Sequence, residues 1–373
     1  MLPRRTMLNA ATAAVALSFA MPMAAQATEP TPVVATFSII GDMVERIGGE
    51  HVAVTTLVGP DGDAHVYQPT PADARAVSEA EVLIVNGLEF EGWLDRLIDA
   101  SDFDGLRVVA TAGIDPIAFD DHADHHDDHD DHAEHDHDHD HHHDHDHDHD
   151  HDHDEHAEHD HDHDHDHDHD HDHDHDEHAE HDHDHEEHAD GGHHHHHGAF
   201  DPHAWQSLGN AVAYVDNITT GLAEADPANA STFFENRAAY IAEIEALDAE
   251  ILELVAGLPA DRRTVVTSHD AFGYFSERYG LNFVAPQGVS TASEPSAAEV
   301  AELIVQIREE GVAAIFVENI TDSRLIEQIA RETGATIGGT LYSDALSDAD
   351  GPASTYLDMM RHNATTLAGA LGS

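Results

Sequence analysis

The chain has 373 residues, with 77 aspartates and glutamates against 14 lysines and arginines, 41 histidines, no cysteine and a formal net charge of −63. A molecule this acidic is repelled by nucleic acid and by anionic membrane surfaces, and a cationic ligand is its natural partner. Without cysteine it forms no disulfide, and the mature protein is expected to carry no lipid on an N-terminal cysteine.

Residues 1–27 read as an export signal peptide. Arg4 and Arg5 supply the charged region, residues 7–23 are mostly apolar and small, and Ala25-Gln26-Ala27 is an A-x-A cleavage site. The apolar run is too short and alanine-rich for a membrane anchor, and no later segment could span a bilayer. The paired arginines loosely resemble a twin-arginine signal, so the general and twin-arginine routes both stay open. A soluble monomer outside the cytoplasmic membrane, without a direct membrane anchor, is expected, as suits a periplasm.

Beyond the leader, β-rich apolar runs at 33–40, 52–58, 81–85 and 107–110 alternate with helical stretches at 42–47, 71–80 and 91–98. Residues 120–197 then alternate histidine with acid: 36 histidines, 35 acidic residues and no lysine or arginine. Such a segment cannot join a core, and disorder without metal is expected of this inserted loop. A long helix follows over 226–257, with Asp226 as N-cap and Pro227 at the first helical position. Phe233, Arg237, Tyr240, Ile241, Ile244, Leu247, Ile251, Leu254 and Val255 recur along it at three- and four-residue steps, and Gly257 and Pro259 end it. The strand–helix rhythm then returns, with strands at 264–267, 282–285, 313–318 and 336–341 and helices at 271–279, 295–310, 323–333 and 355–371. The fold class is therefore α/β, with two lobes (28–119 with 198–225, and 258–373). Each is a mostly parallel sheet flanked by helices, and the single long helix that joins them limits hinge closure.

Four loop positions carry the chemistry. His65 lies in the Gly/Asp-rich loop beginning Gly59-Pro60-Asp61, and His203 in Asp201-Pro202-His203-Ala204-Trp205 at a strand-to-helix junction. His269 directly follows the strand at 264–267, and Asp344 follows the one at 336–341. Ligands of open α/β sheets bind beyond the carboxyl ends of strands, so two ligands from each lobe would converge in the cleft. Three imidazoles and a carboxylate make a closed tetrahedral set suited to Zn²⁺. His51 and His362 lie outside any such setting and read as structural or exposed. Trp205 and Phe272 read as core, and Tyr67 as packing its own loop. No H-E-x-x-H helix and no general base beside a three-ligand set is found, so an enzyme is not expected. The His/Asp segment offers many overlapping weak sites, and its end at His197 lies only six residues from His203.

These segments closely resemble the periplasmic solute-binding proteins of bacterial high-affinity zinc uptake, within the cluster A-I metal-binding proteins of ABC importers. The resemblance spans about residues 31–372 and rests on His65-Val66-Tyr67-Gln68-Pro69, Asp201 to Trp205, Ser268-His269-Asp270-Ala271-Phe272-Gly273-Tyr274-Phe275 and Tyr342-Ser343-Asp344-Ala345-Leu346. It implies two α/β lobes on a rigid helix, His65, His203, His269 and Asp344 as metal ligands, and an inner-membrane ABC permease as docking partner. A zinc chaperone is a further expected partner. Manganese members of the family carry glutamate where His269 stands, which favours zinc here. In the zinc branch a water or another carboxylate, here Asp63, can take the place of Asp344. The expected function is periplasmic capture of Zn²⁺ for an importer, with another divalent metal such as manganese, or a zinc buffer or store, as alternatives.

Overall fold

The computed structural model describes residues 29–118, 199–312 and 314–372. The signal peptide expected over 1–27 and the His/Asp-rich loop expected over 120–197 lie outside the described residues.

The same four-stranded parallel sheet is built twice. The first half runs β1 (Thr31–Phe37), α1 (Ser38–Gly48), β2 (Val52–Val58), α2 (Pro71–Glu79), β3 (Val82–Val85), α3 (Leu94–Ser101) and β4 (Leu106–Val109), with strand order β2-β1-β3-β4. Two long helices follow, α4 (Leu208–Ala225) and α5 (Ala230–Ala256). The second half runs β5 (Thr264–Val266), α6 (Gly273–Tyr279), β6 (Asn282–Val284), α7 (Ala297–Glu310), β7 (Ala314–Glu318), α8 (Arg324–Thr333), β8 (Thr336–Leu341) and α9 (Tyr356–Leu371), in the order β6-β5-β7-β8. Every strand pair is parallel. In both sheets the winding direction reverses beside the first strand, which opens a crevice at the carboxyl ends. No helix among the described residues is long and apolar enough to cross a membrane.

Several boundaries differ from the sequence reading, each for a local reason. β1 stops at Phe37 rather than at 40, because Ile39, Ile40, Met43, Val44 and Ile47 already form the buried stripe of α1. An apolar run that continues through a strand-to-helix junction hides the change of period. α3 begins at Leu94 rather than 91, because a tight turn precedes it. α5 begins at Ala230, not 226. The Asp226 carboxylate instead accepts from the backbone N–H groups of Ala228 and Asn229 at 3.2 and 3.3 Å, and so caps a turn that contains Pro227. His203 does not follow a strand. It stands immediately before a single 3₁₀ turn, Ala204–Gln206, that leads into α4.

α5 buries Phe233, Tyr240, Ile244, Leu247, Ile251 and Val255 along one stripe. It packs on α1 and α4 on one side of the molecule and on α6 and α9 on the other. One hydrophobic core consequently runs from Val33 and Ile84 through Ile244 into Phe272, Phe275 and Met359. A smaller cluster of Val266, Ile304, Ile315, Ile326 and Ile329 fills the far side of the second sheet. Buried polar ties add to the continuity. Leu346 N–H donates to Ser38 Oγ at 2.9 Å, Tyr356 N–H to Asp42 Oδ2 at 2.9 Å, and Tyr356 Oη to Trp205 O at 2.6 Å.

Two expectations follow from the shared core. Ile244→Ala removes a fully buried side chain from α5 and should cost about 2–5 kcal/mol. Of the two tryptophans, Trp93 lies in the first half and Trp205, just before α4, donates to Ser343 O of the second. Tryptophan fluorescence therefore follows the first half and its seam with the second, while far-UV circular dichroism follows the helices and strands of both. Their urea transitions should coincide in wild type and variant, and separated transitions would contradict a shared core. The second expectation concerns Asp42. Burial raises its carboxyl from 3.8 to about 6, against the opposing pull of the Tyr356 N–H and Arg46. The protonated form thus contributes stability that is full below the unfolded value and is lost as pH rises through about 6. Asp42→Asn, which cannot ionise, should gain about 2–3 kcal/mol on wild type between roughly pH 4 and pH 7. Unfolding free energies of both proteins at the two pH values check this, and a constant difference would refute it.

Candidate metal centre

Each candidate ligand occupies a loop at the carboxyl edge of a sheet. His65 follows β2, His269 follows β5, Asp344 follows β8, and His203 enters from the turn before α4. The structure brings all four together, with one donor atom from each lying within 4.8 Å of all the others. The three imidazoles form a near-regular triangle, with ring centroids 5.4, 5.8 and 5.4 Å apart. Each turns Nε2 inward. His65 Nε2 is 3.3 Å from His203 Nε2, and Asp344 lies 3.1, 3.5 and 3.2 Å from the Nε2 atoms of His65, His203 and His269. Ligands at about 2.0–2.1 Å from a tetrahedral ion stand about 3.3 Å from one another. The four separations quoted are close to that spacing, and all four donors lie within 4.8 Å of one another.

The backbone beside every ligand is held by a buried side chain. Trp93 Nε1 donates to Ala64 O at 2.7 Å, Asn86 Nδ2 to Pro202 O at 2.9 Å, and Trp205 Nε1 and Gln206 Nε2 to Ser343 O at 2.9 and 2.7 Å. In these three cases the fixed carbonyl belongs to the residue just before the ligand. At the fourth, Glu318 Oε1 accepts the N–H groups of Ser268 and His269 at 2.7 and 2.9 Å.

Two carboxylates also clamp rings from behind. Asp201 Oδ1 lies 2.7 Å from His203 Nδ1 and Glu318 Oε2 lies 2.6 Å from His269 Nδ1. A carboxylate on Nδ1 fixes the tautomer that presents Nε2 to an ion. Gly273 makes the first clamp accessible, because a Cβ there would sit 2.4 Å from Asp201 Oδ2. Sequence reasoning quoted Asp201 without a role and passed over Glu318. The available signal was an acid closing the otherwise apolar strand Ala314-Ile315-Phe316-Val317-Glu318.

Electrostatics follow from burial and partners. Burial opposes charge on Asp344, but His203 and His269 more than reverse it and hold the carboxyl well below the usual carboxylate range. Burial likewise opposes protonation of His203, yet Asp344 and Asp201 push it up to about 9. His269 is raised well above its ordinary value, because Glu318 and Asp344 outweigh burial. In His65 burial prevails, only partly offset by Asp344, and the imidazole is lowered. A bound cation must displace any proton on these nitrogens.

An aromatic wall backs the first-half ligands. Phe90 lies 4.8 Å from the His65 ring and Trp205 5.2 Å from the His203 ring. Phe90 is delivered by a strained turn in which Leu88 and Glu89 both have positive φ, 53° and 61°. The buried Glu91 carboxylate holds that turn, accepting from Asn86 N–H and Thr36 Oγ1, each at 2.6 Å. Of the remaining candidates, Asp63 is outside the cluster, with Oδ1 on His65 N–H at 2.9 Å and Oδ2 on Thr291 Oγ1 at 2.6 Å. Phe272 stacks on Phe283, Tyr67 donates to Asp73, and His51 and His362 pack on Phe233 and Tyr342, away from the centre.

Residues 33–370 match the family described as zinc-uptake complex component A, periplasmic (ZnuA). The chain belongs to that family. It is 28% identical to the iron-binding protein YfeA of Yersinia pestis, over 91% of this chain and 86% of that one. It is also 28% identical to the manganese-binding lipoprotein MntA of Halalkalibacterium halodurans, over 92% and 89%. Its fold superposes on the periplasmic zinc-binding protein TroA of Treponema pallidum with a TM-score of 0.68 at 26% identity, covering 91% of this chain and 99% of TroA. This ZnuA-family protein is thus a divalent-metal-binding, extracytoplasmic component of an ABC importer and not an enzyme.

Loss of the His269 clamp should be visible in binding. Glu318→Gln keeps the size of the side chain but removes its charge, and should weaken divalent-metal affinity about 10–100-fold. Competition with a chelator of known affinity measures this, and an unchanged affinity would show that the clamp is idle.

Proposed function

We propose that the protein captures Zn²⁺ in the periplasm and delivers it to the permease of an ABC zinc importer, with His65, His203, His269 and Asp344 as the ligands. The observation that carries the reading is the donor set. Three imidazole nitrogens and one carboxylate, with Asp344 3.1–3.5 Å from each Nε2 and all four donors within 4.8 Å of one another, suit a tetrahedral borderline ion. Manganese prefers oxygen donors and more of them. The ion is cargo. The residues have to desolvate it, hold it in one geometry and later let it go.

Residues 120–197 fit the same purpose. Ala118 and Phe200 pair as an antiparallel bridge and Asp201 N–H donates to Ile117 O at 2.9 Å, so the described chain on either side of the segment meets beside the Asp201–His203 clamp. Zinc gathered by its histidines would be delivered at high local concentration. In this reading the protein is a monomer that meets the permease and a zinc chaperone. The iron and manganese named for similar chains favour a second reading, in which the same pocket carries another divalent metal.

Calorimetry decides between these readings. With residues 120–197 removed, one tight Zn²⁺ site per chain should remain and Mn²⁺ should bind more weakly. His203→Ala should lose more affinity than the roughly 10–100-fold typical of an outer partner. Tighter Mn²⁺ than Zn²⁺ would favour the second reading. Loss of nearly all capacity on deletion would indicate a store.

A further inference from the structure

The four ligands are not held alike. His203 and His269 each have a carboxylate on Nδ1, and their side chains, like that of Asp344, are completely buried. His65 has no carboxylate at Nδ1 among the described residues, and its side chain retains 4% exposure. It also stands on an irregular loop that includes Asp61 at φ 52°. His65 is therefore the ligand with the least support of its own.

Beyond the Trp93 bond to Ala64 O and the Phe90 ring, which come from its own half, His65 is steadied from the other half of the molecule. Asp63 accepts His65 N–H with one oxygen, at 2.9 Å, and Thr291 Oγ1 with the other, at 2.6 Å. Thr291 belongs to a segment that is tied at its other end to a second ligand. His269 and Gln287 form a parallel bridge, and Asp270 N–H donates to Gln287 O at 3.0 Å. Gln287 Nε2 donates to Ser293 O at 2.6 Å, which stiffens the turn between. Residues 287–291 thus form a strap from the backbone at His269 to the loop of His65. A cleft of about 520 Å³ lies directly outside it, lined by Asp63, Ser268, Gln287, Thr291, Glu294 and Asp322 among others. The charged residues of this cleft are Asp63, Glu294, Asp322 and Arg324, the last two paired with each other.

We propose that Thr291 is a positioning residue for His65. Acting through Asp63, its hydroxyl keeps the least supported ligand on the ion and sets the rate of ion release. The inference rests on the metal-ligand reading above. Thr291 touches no ion itself, and the pair it forms with Asp63 joins the strap of one half to the ligand loop of the other.

The test uses the full chain loaded with one equivalent of Zn²⁺ and chased with excess chelator in a stopped-flow instrument. The wild type should show a slow release phase that is absent from His203→Ala, which marks the central ion. Thr291→Val, similar in shape but without the hydroxyl, should accelerate that phase about 10-fold, the scale of one hydrogen bond to a charged group. Thr291→Ser should restore the wild-type rate. The melting temperatures of the metal-free proteins should stay together, since a merely structural role would move these instead. An unchanged rate in Thr291→Val, or failure of Thr291→Ser to restore it, would overturn the positioning role alone. A wild type without the slow phase would overturn the metal-ligand reading and the positioning role with it.

Discussion

A fully buried carboxylate anchors this molecule. Asp344 has no solvent contact, and an isolated charge in such a place would cost several kcal/mol. Its partners are three imidazoles whose Nε2 atoms converge on it from three other loops. Two of the four donors belong to each half. The arrangement exists only while both sheets are docked, so the accuracy of the site is the accuracy of the interface between lobes. That requirement explains why the core runs without interruption through α5, and why the polar ties at Ser38, Asp42 and Tyr356 cross between halves. A flexible hinge would spread the donor positions by more than the few tenths of an ångström that coordination tolerates.

Rigidity alone would make a trap rather than a carrier. The structure answers with unequal support around the ring of ligands. His203 and His269 are clamped by Asp201 and Glu318 and cannot swing without breaking a buried pair. His65 is steadied through its backbone, by Asp63, from a strap in the opposite half. The same four donors thus combine three fixed positions with one whose hold depends on a surface loop.

Fold does not choose the metal. Chains about 28% identical to this one are named for iron and for manganese, while the superposing TroA is named for zinc. What differs between carriers on one scaffold is the donor chemistry in the crevice. Here that is three nitrogens and an oxygen, with carboxylates behind two of the nitrogens and an apolar wall of Phe90 and Trp205 excluding water.

Much of this was legible along the chain. Alternating strands and helices announced two parallel sheets, because each periodicity reports which face is buried. The ligands stood out because a histidine or aspartate just past a strand lies where open sheets bind. Other features were hidden for equally physical reasons. The end of β1 was masked by an apolar run that serves a strand and then a helix. Pro227 looked like a helix start, yet Asp226 uses its carboxylate to close a turn first. Glu318 looked like an ordinary strand end, and Thr291 like any loop threonine. By itself the sequence determined the fold class and pointed to the four side chains that the structure brings together, since these depend on local pattern and residue type. That Glu318 backs the His269 imidazole, and that the loop of His65 is held from across the cleft, was decided by the tertiary structure. His269 and Glu318 lie 49 residues apart and meet because β5 and β7 are neighbours in one sheet, whereas Asp63 and Thr291 lie 228 apart and meet only through the docking of the two sheets.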